Sequence, residues 1–120
     1  MKLPALHIGN LPATVPIVQG GMGIGVSLSG LASAVANEGG VGVISAANVG
    51  FNEPDFKTNT VNANLRALKS ELLKAREKAK TGIIGVNIMS KGHHYEDYAR
   101  CAAENGADII FSGAGLPADL

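Results

Sequence analysis

The sequence predicts an α/β protein built on a parallel sheet. Three observations point there. Four apolar runs have strand length, three segments between them space their apolar residues as a helix does, and most runs end in glycine, amide or hydroxyl residues. A parallel pair needs a crossover of helix length, so regular alternation of the two patterns selects a parallel sheet.

Pro16-Ile17-Val18-Gln19 is the first run, and Pro16 holds Val15 extended. It leads into Gly20-Gly21-Met22-Gly23. Ser27 or Ser29 is expected to cap the first helix, its hydroxyl oxygen accepting from an orphan N–H of the first turn. Leu28, Leu31, Ala32 and Val35 follow at i, i+3, i+4 and i+7. Gly39-Gly40 ends that helix, because glycine takes the left-handed conformation at little cost. Val41-Gly42-Val43-Ile44 is the second strand, apolar on both faces. A connection from Ser45 to Asn59 carries Gly50 and Pro54 as breakers.

Thr60 to Lys80 is the clearest helix. Val61, Leu65, Leu68, Leu72, Ala75 and Ala79 draw one apolar stripe, and Arg76, Lys78 and Lys80 sit in the last turns, where the helix dipole favours positive charge. Ile83 to Met89 is the third strand. Tyr95, Tyr98, Ala99 and Ala102 mark a third helix, with Glu96 and Asp97 in its first turn and Gly106 beyond its end. Asp108-Ile109-Ile110-Phe111 is the fourth strand, followed by Ser112-Gly113-Ala114-Gly115-Leu116-Pro117.

Two architectures accommodate this order: an open doubly wound sheet, or part of a (β/α)8 barrel. A barrel needs eight strands and about 250 residues. The 120 residues supply four strands and end at Leu120, where a further helix is expected. The expectation is therefore one unit, residues 1–120, forming the N-terminal half of a TIM barrel cut after its fourth strand.

Composition narrows the function. Ten basic and ten acidic residues leave no net charge, which argues against a nucleic-acid partner. No run approaches the ~18 apolar residues of a membrane span, so no membrane partner is expected. A single cysteine, Cys101, cannot close an internal disulfide and fits a reducing cytoplasm. It lies among helix alanines, as an inert half-buried thiol would. Sixteen glycines of 120 residues are about twice the usual ~7%.

Both architectures bind ligands at the carboxyl ends of the strands. Gln19-Gly20-Gly21-Met22-Gly23, Ser45-Ala46-Ala47-Asn48, Asn87-Ile88-Met89 and Ser112-Gly113-Ala114-Gly115 converge there. Small residues leave room for a flat ligand and expose backbone N–H groups to it. The spacing fits neither G-x-G-x-x-G nor a P-loop: Val26 and Leu28 occupy the sixth positions from Gly21 and Gly23, and no Gly-Lys-Ser/Thr follows. Asn87 interrupts an apolar strand, either bonding neighbouring backbone or holding a polar ligand edge. Gln19 presents the same choice. His93 and His94 read as solvated loop residues, and His7 has no assigned role.

Pro16 to Gly23, Gly85-Val86-Asn87-Ile88-Met89 and Ser112 to Pro117 together make the chain similar to the flavin-dependent nitronate monooxygenases, also called 2-nitropropane dioxygenases. The related enoyl-acyl-carrier-protein reductase II enzymes share the N-terminal pattern. The resemblance implies a TIM barrel with FMN at its carboxyl-terminal mouth. Gly20, Gly21 and Met22 would offer backbone to the flavin, Asn87 an amide hydrogen bond, and Ser112, Gly113 and Gly115 the edge of the same site. It places the catalytic histidine beyond the fourth strand and the phosphate loops near the last strands, so His7, His93 and His94 do not match the catalytic position. The implied activity is oxidation of a small-molecule nitronate with FMN and oxygen in a full-length parent, with these 120 residues inactive alone. Alternatives are NAD(P)H-dependent enoyl reduction, a flavodoxin-like flavin- or nucleotide-binding module, and an inactive fragment. Open sheet edges make self-association into a homo-oligomer expected.

Overall fold

The computed structural model describes residues 2–116. A short antiparallel hairpin comes first, β1 (Leu6–Ile8) and β2 (Leu11–Ala13), turning at Gly9-Asn10 with Gly9 at φ 58°. Then follow α1 (Ser29–Asn37), β3 (Val41–Ser45), α2 (Thr60–Lys78), β4 (Ile83–Met89), α3 (Tyr95–Glu104) and β5 (Ile109–Gly113). β3, β4 and β5 are parallel and adjacent, with Val41 opposite Ile83 and Gly85 opposite Ile109.

The first predicted strand is reduced to a parallel bridge between Val18 and Val41. Val41 N–H donates to the Ile17 carbonyl at 2.9 Å, and Gln19 N–H donates to the Val41 carbonyl at 3.0 Å. Segment 15–19, β3, β4 and β5 thus lie side by side in chain order.

Strand alternation sorts the side chains onto two faces. Ile44, Ile84, Val86 and Ile88 pack with Ala32 and Ala36 of α1, Leu68, Leu72 and Ala75 of α2, and Ala102 of α3. All three helices therefore cover one face. On the other, Val41, Val43 and Ile83 pack with Ala13 of the hairpin, and Leu6, Ile8, Leu11, Ile109 and Phe111 close around them. The hairpin thus covers part of that face.

Helix α1 differs from its predicted face. Its buried residues are Ser29, Ala32, Ser33 and Ala36, while Leu31 is 38% exposed. The cause is close approach: a Cβ built on Gly42 would lie 1.9 Å from the Ala32 carbonyl oxygen. Only small residues fit that seam, so the leucine is turned away. Neither predicted serine caps the helix. Leu28 occupies the N-cap without a side-chain bond, and the Glu71 carboxylate of α2 accepts from Ser29 N–H at 2.9 Å. A carboxylate there also suits the positive end of the helix dipole.

Gly39 and Gly106 stand just past α1 and α3 at φ 94° and 95°, the conformation expected of C-terminal glycines. Helix α2 stops at Lys78 rather than Lys80. The last strand runs two residues further than predicted, so Ser112 and Gly113 belong to the sheet.

Candidate functional site

The carboxyl ends of segment 15–19, β3, β4 and β5 meet on one rim, and a glycine loop crosses it. Gln19 determines where the loop leaves the sheet. Its Oε1 accepts from Val43 N–H and its Nε2 donates to the Val43 carbonyl, both at 3.0 Å. The side-chain amide makes the two bonds that a further residue of the strand would make, so Gln19 serves the backbone and the chain is free to turn at Gly20.

Ser27 fixes the loop in place. Fully buried, its hydroxyl accepts from Met22 N–H at 2.9 Å and from Gln19 Nε2 at 3.0 Å, and donates to the Gly20 carbonyl at 3.2 Å. Ser45 N–H then donates to the Ser27 carbonyl at 3.0 Å, tying this pin to β3. The sequence shows a serine near a helix start, where capping is the usual role. Pinning a loop leaves no different mark in the sequence.

The loop reaches Asn87. A Cβ on Gly21 would lie 2.6 Å from the Asn87 Cβ, so no other residue fits without displacing the asparagine. Gly20 has nothing within 4 Å of its missing Cβ, leaving one face of its backbone bare. Gly20, Gly21 and Gly23 N–H make no hydrogen bond among the described residues, and all three residues are exposed. Met22 is 46% exposed beside them.

Of the two roles left open by the sequence, Asn87 takes the one that bonds neighbouring backbone. Its Nδ2 donates to the Phe111 carbonyl at 3.1 Å, across the β4–β5 pair. Its Oδ1 makes no hydrogen bond to a described residue. Gly113 follows on β5, where a Cβ would stand 3.7 Å from Asn87 Nδ2.

Gly20, Gly21, Met22, Asn87 and Gly113 therefore come together. Ser112 faces the other way, because alternate residues of a strand point to opposite sides. Its hydroxyl bonds the Tyr95 hydroxyl of α3 on the helix side. Gly115, at φ 150°, lies against Ser90 and Lys91 in the β4–α3 loop, with its missing Cβ 2.7 Å from Lys91 Cγ. Ser90 N–H donates to the Gly113 carbonyl at 2.7 Å and links that loop to the rim. Pro117, the last residue of the third motif, lies outside the described residues.

A separate cavity of ≈ 160 Å³ opens between the β3 and β4 ends and the helices, lined among others by Asn48, Asn64, Ile88, His93 and Tyr98. Asn64, 3% exposed, organises its wall: Oδ1 accepts from Gly50 N–H at 2.8 Å and Nδ2 donates to the Tyr98 hydroxyl at 3.1 Å. His94 bonds the Asp97 carboxylate at 3.1 Å, and His7 lies on the hairpin. Burial pushes the Cys101 thiol up, and its sulfur donates to the Leu65 carbonyl at 3.5 Å. Among the described residues no helix is long and apolar enough to cross a membrane.

The rim brings bare backbone and polar atoms together. It offers bare glycine backbone, three unspent N–H groups and an amide oxygen held in one orientation. The chain matches no family model, and no curated protein matches it.

Proposed function

We propose that these residues form the first four βα units of a flavin-binding (β/α)8 barrel, and that the parent protein oxidises nitronates with FMN and molecular oxygen. The observation that carries the reading is the meeting of Gly20-Gly21-Met22 with Asn87 and Gly113, residues that lie far apart in the sequence, on one sheet rim. Strand order supports the architecture. A doubly wound sheet reverses its order at a switch point and places helices on both faces. Here the strands follow chain order and the helices cover one face.

In this reading the bare backbone at Gly20 lies along the ring, and the unspent N–H groups of the loop bond its acceptor atoms. Gln19 and Ser27 hold the loop at the right height without touching the ligand. Met22 contributes an apolar, adaptable wall. When bound, FMN supplies the redox chemistry, taking electrons from the nitroalkane anion and passing them to oxygen. The protein's part is placement and exclusion of water. His7 lies on the hairpin and His93 and His94 in the β4–α3 loop, and this reading gives none of them a part in proton transfer.

Titration of FMN into the purified chain, followed by quenching of flavin fluorescence, tests the reading. Saturable quenching, lost in Gly21→Val while the far-ultraviolet circular dichroism is kept, is the expected result. Equal, unsaturable behaviour of both proteins would overturn it. In the parent, turnover of a nitronate against reduction of an enoyl thioester separates the two activities that share these motifs.

A further inference from the structure

The cavity on the helix side of the sheet is separate from the rim. Ile88 and Asn87 are consecutive on β4, so their side chains leave the sheet on opposite faces, Ile88 toward the helices. Ile88 lines the cavity together with Ala46 of the β3–α2 loop, and the two are 3% and 5% exposed. Asn64 of α2 and Tyr98 of α3 form the helix wall, and Asn48 and His93 stand at the exposed lip.

A single backbone group fixes the direction of the hydrogen bonds in that wall. Gly50 N–H can only donate, and its acceptor is Asn64 Oδ1. The other end of that amide, Nδ2, must then donate, and the Tyr98 hydroxyl accepts from it at 3.1 Å. The hydroxyl keeps its own proton, and no described residue accepts it. Asn64 and Tyr98 both have partners, and the wall still holds one O–H donor for a molecule in the cavity.

Size, charge and polarity define the ligand class. A volume of ≈ 160 Å³ is close to the about 150 Å³ that accommodates benzene. The lining contains no Asp, Glu, Lys or Arg, so an ionised ligand would give up its hydration with no opposite charge to replace it. The wall's amide oxygen is spent on Gly50, so the group left over is a donor, which selects a ligand that accepts. We infer that this cavity binds a small uncharged carbonyl compound, its apolar body against Ala46, Ile88 and Met89 and its oxygen accepting from the Tyr98 hydroxyl. Asn64 is the positioning residue, since it sets the direction in which that hydroxyl donates. The inference goes beyond the flavin reading and does not depend on it.

The test titrates cyclopentanone, an uncharged ketone about the size of benzene, into the isotope-labelled chain and follows amide shifts by nuclear magnetic resonance. Saturable shifts centred on Gly50, Asn64, Ile88 and Tyr98, with Gly20, Gly21 and Gly23 unmoved, are expected. Tyr98→Phe is expected to weaken cyclopentanone by about 5-fold, the worth of one hydrogen bond, and to leave benzene within about 2-fold of the wild type. If Tyr98→Phe fails to fold, nuclear Overhauser contacts from the bound ketone to Ile88 and Tyr98 of the wild type decide, and their absence would overturn the site. Shifts that stay linear up to the solubility of the ketone, or that centre on the glycine loop, would also overturn it. Cyclopentanone bound equally by wild type and Tyr98→Phe would overturn the role of the hydroxyl and the carbonyl class with it. FMN titration of the same samples reads the rim separately, so failure at one site is distinguished from failure at the other.

Discussion

Ser27 shows how one small side chain supports the site without entering it. Its buried hydroxyl satisfies Met22 N–H, the Gln19 amide and the Gly20 carbonyl together. Removing it takes the partner from the part-buried Met22 N–H and one bond each from the Gln19 amide and the Gly20 carbonyl, where a group left unpaired costs about 1–3 kcal/mol. Ser27→Ala is therefore expected to lose about 2–3 kcal/mol of unfolding free energy, measured by urea denaturation. Loss of less than about 0.5 kcal/mol, the range of an ordinary surface change, would show that water replaces the hydroxyl. At this scale the sequence was legible in kind rather than in role. An amide at Gln19 and another at Asn87 are visible, but Gln19 is consumed by Val43 and Asn87 is only half consumed by Phe111. That difference depends on which backbone groups a fold leaves unpaired, and no local pattern encodes it.

Among the elements, α1 is placed by the absence of a side chain on β3. A Cβ on Gly42 would fall 1.9 Å from the Ala32 carbonyl oxygen, a backbone atom that cannot move unless the helix does. Gly42→Ala is expected to cost about 3 kcal/mol, at the upper end for overpacking. Gly30→Ala is the matched control. Its Cβ meets nothing within 4 Å, and helix propensity predicts a neutral or slightly stabilising change of up to about 0.5 kcal/mol. Equal melting temperatures for the two variants would contradict this account of α1.

Most elements were readable from period alone. β4 occupies the predicted residues, and α2 keeps Leu68, Leu72 and Ala75 on its buried side. The hairpin was not predicted, although Gly9-Asn10 between Ile8 and Leu11 is a two-residue turn signal. Three-residue strands are too short for alternation to show. The face of α1 was misread because spacing counts large apolar residues, whereas a close seam selects small ones.

The whole molecule is a single parallel sheet with helices on one face and a hairpin on part of the other. Its radius of gyration of 14.0 Å is near the ~13.6 Å of a compact chain this long. Yet its extents of 51 × 32 × 22 Å are those of a slab rather than a closed barrel. Val18 and Met89 remain 42% and 52% exposed, and β5 has no strand on its outer side among the described residues. Unpaired edges beside apolar surface favour pairing between chains. Light scattering is expected to give a mass above that of one chain and rising with concentration, with Val18→Lys shifting it toward the monomer. A monomer at every concentration would show that the hairpin and the edge side chains protect the sheet sufficiently.

The sequence by itself determined the alternation of strand and helix, the parallel sheet, and the clustering of glycines and amides at the strand ends. These follow from local rules: a period of two or 3.6, the conformational freedom of glycine, and the length of a parallel crossover. Only the tertiary structure decided that the Gly20–Gly23 loop folds down onto Asn87 and Ser45, that Ser112 turns to the helices, and that the hairpin fills part of the remaining face. Those outcomes depend on which atoms from distant segments compete for the same space and the same hydrogen bonds, and such competition has no counterpart along the chain.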